Sequence, residues 1–145
     1  MATAALAAMA IATGCGSDSD GETTETITKA AYVKQADAIC LKFNEDTSAK
    51  FQALNQQGSP PSVAEQRAMT RKVYLGNLQR RLDGMKALPL PEEEEEEIVA
   101  LLTATQKGIR EALSQDAIAY TSTYEHFSKA NKLAQGLGFK YCYEV

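Results

Sequence analysis

Apolar residues recur at three- and four-residue steps along most of the chain, which is the spacing of amphipathic helices. The first helix is predicted from Lys29 to Gln57, a stretch without Gly or Pro, and Thr28 is suited to cap its N-terminus. The segment Gly58-Ser59-Pro60-Pro61 ends it. Its predicted buried stripe consists of Val33, Ala36, Cys40, Phe43, Thr47, Phe51 and Leu54.

A second helix is predicted to begin at Ser62, because Ser62 and Glu65 have the spacing of a capping box. The segment Leu88-Pro89-Leu90-Pro91 ends it, since proline cannot donate a backbone hydrogen bond and disfavours helical backbone in the residue before it. The predicted apolar stripe consists of Leu75, Leu78, Leu82 and Met85, with Met69 and Val73 nearby.

Two further helices are predicted after Pro91. The buried face of the third consists of Ile98, Leu101, Leu102, Thr105, Ile109, Ala112 and Leu113. The segment Ser114-Gln115-Asp116 predicts a break, with Asp116 or Ser114 capping the fourth helix; the alternative is one kinked helix. The fourth carries Tyr120, Tyr124, Phe127, Asn131 and Ala134 on one side, and Gly136-Leu137-Gly138 ends it.

The four predicted helices have similar lengths and short connections, which favours antiparallel neighbours. The predicted fold class is therefore all-α: an up-down-up-down four-helix bundle over residues 29–145, preceded by a flexible N-terminal tether. A chain of 145 residues is expected to form one domain with a sizeable core.

The N-terminus has the pattern of an export signal. Residues 1–14 are small, apolar and uncharged, and they are too few to span a membrane as a mature helix. The segment Ala12-Thr13-Gly14-Cys15 resembles the bacterial lipobox, in which the Cys receives diacylglycerol and becomes the mature N-terminus. Cys15 is therefore the predicted lipidation site, followed by an acidic tether over residues 15–28.

Two alternatives to this interpretation of the N-terminus remain. One is an ordinary signal peptide in which Cys15 occurs by chance. The other is a true start upstream of Met1, because no basic residue precedes the apolar stretch.

Lipidation of Cys15 leaves Cys40 and Cys142, an even number in a compartment where disulfides persist. In the predicted bundle the start of helix 1 lies beside the end of helix 4, so the C-terminal tail can turn back along helix 1 to reach Cys40. We therefore predict a Cys40–Cys142 disulfide; the alternative is a pair of buried free thiols.

Two short segments carry a family resemblance. The segment Ala36-Asp37-Ala38-Ile39-Cys40, preceded by Tyr32, and the closing Gly138-Phe139 with Cys142 resemble an uncharacterised group of small secreted proteins. Most of that group are lipoproteins of high-G+C Gram-positive bacteria, and the turn at Leu88-Pro89-Leu90-Pro91 is similar too. The resemblance implies a helical extracytoplasmic domain with a Cys40–Cys142 bridge, and it implies no activity.

Charge and composition exclude several function classes. A formal net charge of −4 argues against nucleic-acid binding, which normally uses a basic surface. The single histidine, His126, has no partner at helical spacing, and no metal site or cofactor is predicted. We therefore predict that the protein is not an enzyme.

The acidic run from Glu92 to Glu97 is interpreted as a structural feature rather than a cation site. Consecutive helical residues point around the helix axis and cannot converge on one ion, whereas acids in a first turn complement the helix dipole. The run is also expected to face Arg80, Arg81 and Lys86 at the end of helix 2.

The leading functional prediction is a lipoprotein on the outer face of the cell membrane, a helical module that binds an unknown envelope partner. The alternative is a carrier or sensor for a small apolar or aromatic ligand, held between helices 1 and 4. That predicted pocket is lined by Phe43, Phe51, Tyr120, Tyr124, Phe127 and Asn131.

Overall fold

A computed structural model describes residues 27–56, 58–115 and 120–143 of the chain. Over these ranges the chain is all-α and forms four helices, as predicted. The predicted signal peptide, Cys15 and most of the tether lie outside the described residues. None of the described helices is both long enough and apolar enough to cross a bilayer.

The helices follow one another as α1 to α4. The helix α1 spans Lys29–Asn55. The helix α2 consists of an α-helical segment Val63–Met69, a π-helical segment Thr70–Leu75 and an α-helical segment Gly76–Lys86. A 3-10 turn at Glu92–Glu94 leads into α3, Glu95–Ser114, and a 3-10 segment at Tyr120–Phe127 leads into α4, Ser128–Leu137.

Local signals at the helix ends behave as predicted. Thr28 accepts a hydrogen bond from the N–H of Ala31 at 3.2 Å. Ser62 and Glu65 form both bonds of the capping box, at 3.3 and 2.8 Å. Gly138 ends α4 with a φ of 89°, a left-handed conformation that suits glycine. The predicted break after α3 is also present, since that helix ends at Ser114.

Consecutive helices pack against one another to form the core. The Gly76–Lys86 segment of α2 lies between α1 and α3, and α3 packs against α4 and the 3-10 segment before it. The four residues predicted as the clearest stripe of helix 2 are all buried, at 5% exposure or less: Leu75, Leu78, Leu82 and Met85. The helix α2 therefore packs against both α1 and α3.

The middle of α2 differs from the prediction of a regular α-helix. Its π-helical segment buries the consecutive residues Tyr74 and Leu75 together with Thr70. A wider π turn permits this, because it rotates the chain less per residue than an α turn. The pattern of apolar spacing alone contained no signal for it.

The predicted stripe of α1 is fully buried at two of its seven positions, Ala36 and Cys40. The other five are half-buried: Val33, Phe43, Thr47, Phe51 and Leu54. The first segment of α2 likewise contains no buried residue. The two helices therefore share little core next to the loop that connects them.

The prediction for the fourth helix requires a correction. Its first half is the 3-10 segment, in which Thr123 and Phe127 are buried while Tyr124 is 50% exposed. The local sequence Thr-Ser-Thr explains part of this, because these residues have low α-helix propensity and short hydroxyl groups compete for backbone bonds. The predicted cap at Asp116 or Ser114 is wrong, because α4 begins only at Ser128 and its N-cap, Phe127, makes no side-chain cap bond. Ser114 is the last residue of α3, and Asp116 lies outside the described residues. In α3, Leu113 is 39% exposed rather than buried.

The expected pairing of the acidic run with the end of helix 2 is wrong. Glu94 pairs with Lys29 of α1 at 3.8 Å. Arg80 lies over the ring of Phe43, and Lys86 donates to Gln106 at 3.1 Å. The side chains of α2 are therefore directed to α1 and α3 rather than to the acids.

Candidate functional site

A groove of about 420 Å³ lies between α1 and α2, where the two helices share little core. Its apolar lining consists of Phe43, Phe51, Tyr74, Leu78 and Tyr143. Tyr74 and Leu78 are buried at 4% and 3% exposure and form the floor. The rings of Phe43, Phe51 and Tyr143 are half-buried and form the walls. The groove therefore combines a closed apolar floor with an open aromatic rim.

Asn77 organises the polar side of the groove. It is 2% exposed, and its Nδ2 donates to Thr47 Oγ1 at 2.6 Å and to Asp46 Oδ2 at 2.9 Å. Its Oδ1 accepts a hydrogen bond from Arg80. Thr47 in turn donates to the carbonyl of Phe43 at 2.8 Å. Both ends of the Asn77 amide are therefore bonded within the protein, as a buried polar group requires.

The outer side of this network is charged. Lys50 Nζ donates to Asp46 Oδ2 at 2.6 Å. The hydrogen bond from Lys50, followed by that from Asn77, holds the pKa of Asp46 below its ordinary value. Arg80 lies with its guanidinium 5.8 Å from the centre of the Phe43 ring, a cation–π distance. The contact with Arg80 holds the Phe43 ring in its place at the side of the groove.

Arg81 links the groove to the C-terminal segment. It is 4% exposed, and its Nη1 donates to Asn44 Oδ1 at 3.3 Å. The amide nitrogen of Asn44 donates to the carbonyl of Tyr141 at 2.9 Å. One chain of hydrogen bonds therefore runs from α2 across α1 to the residues after α4.

Residues 139–143 turn back along α1, and we call this segment with its α1 contacts the C-terminal clasp. Cys40 and Cys142 form a disulfide with a Cα–Cα distance of 5.2 Å. The carboxylate of Asp37 accepts the backbone N–H of Lys140 at 3.0 Å and that of Tyr141 at 2.9 Å. The clasp places Tyr143 at the groove, so the disulfide and the groove wall belong to one unit.

Tyr32 and Phe139 close the inner end of the clasp. Their rings meet edge to face with centres 6.3 Å apart, and Tyr32 Oη donates to the carbonyl of Met85 at 3.2 Å. Burial raises the pKa of Tyr32 to about 12. Ala36 is fully buried next to these residues. The segments Ala36–Cys40 and Gly138–Cys142 thus form the two sides of the clasp.

The structure separates the residues of the predicted ligand pocket. Phe43 and Phe51 line the groove, but against α2 rather than helix 4. Phe127 lies in the core with its ring 6.5 Å from that of Tyr74, and Tyr124 is half-exposed. Asn131 is buried in α4, and the side chain of Tyr120 lies outside the described residues. The described groove is therefore between α1 and α2 and not between helices 1 and 4.

Close packing explains the place of Phe127. A Cβ on Gly108 of α3 would meet the His126 carbonyl oxygen and the Phe127 ring, each at 2.7 Å. The absence of a side chain at Gly108 lets the 3-10 segment approach α3 until Phe127 fills the core.

Sequence reasoning missed several residues of the groove and the clasp, above all Asn77, Arg81, Asp37 and Tyr143. A signal for two of them was present, since Asn77 and Arg81 are a polar pair at i, i+4 next to the apolar stripe of helix 2. No sequence signal pointed to Tyr143, because its position depends on the turn of the clasp.

The sequence also contained no helical partner for His126, and the structure supplies one from α3. Its Nδ1 lies 3.8 Å from Glu111 Oε2. Over the described part of the chain, no group of three or more His, Cys, Asp or Glu side chains is placed to hold a metal ion.

Comparison with known proteins gives no match to any family, to any curated protein or to any solved structure. The function is therefore argued from the geometry of the groove and the clasp.

Proposed function

We propose that this protein is a lipid-anchored, extracytoplasmic binding module without enzymatic activity. It is held on the outer face of the cell membrane through Cys15 and binds a component of the cell envelope. The observation that carries this proposal is the Cys40–Cys142 disulfide, which joins α1 to the C-terminal segment across 102 residues.

The disulfide supports an extracytoplasmic location on chemical grounds. Structural disulfides persist in oxidising compartments and are rare where cellular thiols keep cysteines reduced. The bridge uses two of the three cysteines and leaves Cys15, the residue in the lipobox-like segment. The family resemblance of the clasp segments points in the same direction. Two or three acyl chains on Cys15 would anchor the chain stably.

The groove supports binding rather than catalysis. Among the described residues that line it there are aromatic rings, amides, hydroxyl groups and one guanidinium, but no acid, histidine or cysteine. Its buried amide, Asn77, is bonded at both ends inside the protein. Such a lining offers contact surface and orientation, and it lacks the acid, histidine or cysteine that most often serves as a general base or activates a hydroxyl nucleophile.

Metabolic labelling with a fatty-acid analogue in a Gram-positive host tests the anchor. We expect labelled wild-type protein in the membrane fraction and an unlabelled Cys15→Ser variant released into the medium. Non-reducing mass spectrometry should show the loss of two hydrogens in both proteins. A label that persists in Cys15→Ser, or reduced protein retained in the cytosol, contradicts the proposal.

Photo-crosslinking on intact cells tests the binding role. A crosslinking residue at Ser48, which is exposed at the groove, should give a discrete product, whereas one at the exposed, neighbouring Ala49 outside the lining should not. Equal products from both positions would show that the groove is not the binding surface.

A second candidate function is the carriage or sensing of a small molecule. The groove volume of about 420 Å³ favours it, because this value lies within the range of small-molecule sites. In this case the membrane anchor would keep the carrier at the cell surface.

A further inference from the structure

We propose that the groove between α1 and α2 binds a small, uncharged aromatic molecule. The proposal rests on the second candidate function above and deepens it by naming the class of ligand. It depends on the groove alone and does not require that Cys15 be acylated.

The shape of the groove favours a flat ring. Tyr74 and Leu78 form a buried apolar floor, and three rings from two different parts of the chain form the walls. Phe43 and Phe51 come from α1, while Tyr143 comes from the clasp. A ring inserted between these walls would cover apolar surface that is half-exposed now and would gain edge or stacked contacts on more than one side.

The polar lining favours a ligand without charge. Asn77 is bonded to Thr47, Asp46 and Arg80, and Thr47 donates to a backbone carbonyl of its own helix. The Arg81 guanidinium donates to Asn44, which itself holds the carbonyl of Tyr141 in the clasp. A charged ligand would lose hydration in the groove and compete with these bonds, whereas an uncharged ring leaves them intact.

The chain contains no tryptophan, so an aromatic dye can be followed without overlapping protein fluorescence. The experiment uses the full chain with Cys15→Ser, which needs no detergent, and titrates it with N-phenyl-1-naphthylamine. This dye is uncharged, joins a phenyl ring to two fused rings through an amine, and fluoresces more strongly in apolar sites. We expect saturable binding with one dye per protein.

A groove-filling variant and a matched control locate the dye. Ser48→Phe places a ring into the groove from an exposed position, and Ala49→Phe places the same ring one residue further along, outside the lining. We expect Ser48→Phe to weaken dye binding by roughly tenfold or more, and Ala49→Phe to leave it within about twofold. Equal urea midpoints for the two variants would show that both remain folded. Unsaturable dye binding, or equal affinity in the two variants, would overturn the proposal.

A pair of competitors tests the preference for an uncharged ligand. Methyl 2-naphthoate and 2-naphthoate share the same rings and differ in the charge of one group. We expect the ester to displace the dye at roughly tenfold lower concentration than the carboxylate. Tighter binding of the carboxylate would overturn the uncharged class and would indicate recognition of an anion at Arg81. Failure of acyl labelling, by contrast, would overturn the membrane anchor and leave the competition result unaffected.

Discussion

At the residue scale, Asp37 is an α1 side chain that binds the backbone of the clasp. Its side chain is nearly buried, and it accepts the backbone N–H groups of Lys140 and Tyr141. An ionised carboxylate suits two N–H donors because both of its oxygens are acceptors. The backbone of the clasp is thus held by a side chain from α1 in addition to the disulfide.

Replacement of this carboxylate by an amide should loosen the clasp. We expect Asp37→Asn to lower the free energy of unfolding by about 1–3 kcal/mol, because an amide NH2 group would face a backbone donor. Urea unfolding with the disulfide intact measures the change. Asp83→Asn is the matched control, since Asp83 is exposed and its carboxylate accepts from the Gln79 side chain at 2.8 Å; its cost should be below about 0.5 kcal/mol. Equal losses in the two variants would contradict the role assigned to Asp37.

Tyr32 predicts how stability changes at alkaline pH. Its pKa is raised by burial from 10.0 to about 12, so the unfolded chain loses this proton first as the pH rises. The contribution of Tyr32 to the free energy of unfolding is therefore fully present below pH 10. It is lost between about pH 10 and 12, at up to about 1.4 kcal/mol per pH unit.

Absorbance at 295 nm tests this assignment, since a chain without tryptophan reports tyrosinate alone. We expect Tyr32 to ionise late, and Tyr32→Phe to remove one tyrosinate from the late part of the titration. Tyr141→Phe, at a position that is 44% exposed, should leave that late part unchanged. An unchanged late part in Tyr32→Phe would contradict the assignment.

At the element scale, the contact between α3 and the 3-10 segment depends on one glycine. A Cβ at Gly108 would lie 2.7 Å from a backbone oxygen, which cannot move aside cheaply. Gly76 of α2 is different, because the nearest atom to its Cβ position is a carbonyl oxygen 4.0 Å away. Gly108 and Gly76 are therefore expected to respond differently to the same substitution.

We expect Gly108→Ala to destabilise the protein by about 1–3 kcal/mol, because overpacking outweighs the gain in helix propensity. Gly76→Ala should be neutral or should stabilise it by up to about 1 kcal/mol, since only the propensity term remains. Thermal unfolding of both variants provides the comparison. A stabilised Gly108→Ala protein would mean that the 3-10 segment is free to move away from α3.

Helix positions were predictable at this scale because their signals are local. Capping residues, prolines and the three- and four-residue spacing of apolar residues all act within a few positions along the chain. The π-helical segment of α2 and the 3-10 segment before α4 were not predictable from that spacing. Both depend on which neighbours the residues pack against, such as Tyr74 against Phe127.

At the scale of the whole molecule, the disulfide connects stability to the groove. It closes a loop across 102 residues and holds the segment that carries Tyr143 to the groove wall. The chain-entropy account of disulfides gives about 4–5 kcal/mol for a loop of this length. Removal of the bridge should therefore affect both folding and ligand binding.

We expect the double variant Cys40→Ala, Cys142→Ala to lose about 2–5 kcal/mol of unfolding free energy. Under conditions where it remains folded, its affinity for N-phenyl-1-naphthylamine should fall by roughly threefold to tenfold, because Tyr143 is held less firmly. Urea titration and dye fluorescence measure the two effects, with Cys15→Ser alone as the reference. Full dye affinity in a destabilised double variant would show that binding at the groove does not depend on the clasp.

The sequence by itself determined the places of the first three helices, the caps at Thr28, Ser62 and Gly138, and the Cys40–Cys142 pairing. The helix signals are local, and the pairing was predicted from the two cysteines that would remain if Cys15 were lipidated. Tertiary structure decided where a cavity forms. The groove exists because α1 and α2 share little core next to their loop, while Phe127 fills the space between α3 and Tyr74. Angles between helices and the turn of the clasp result from packing of the whole core, and apolar spacing along one chain does not specify them.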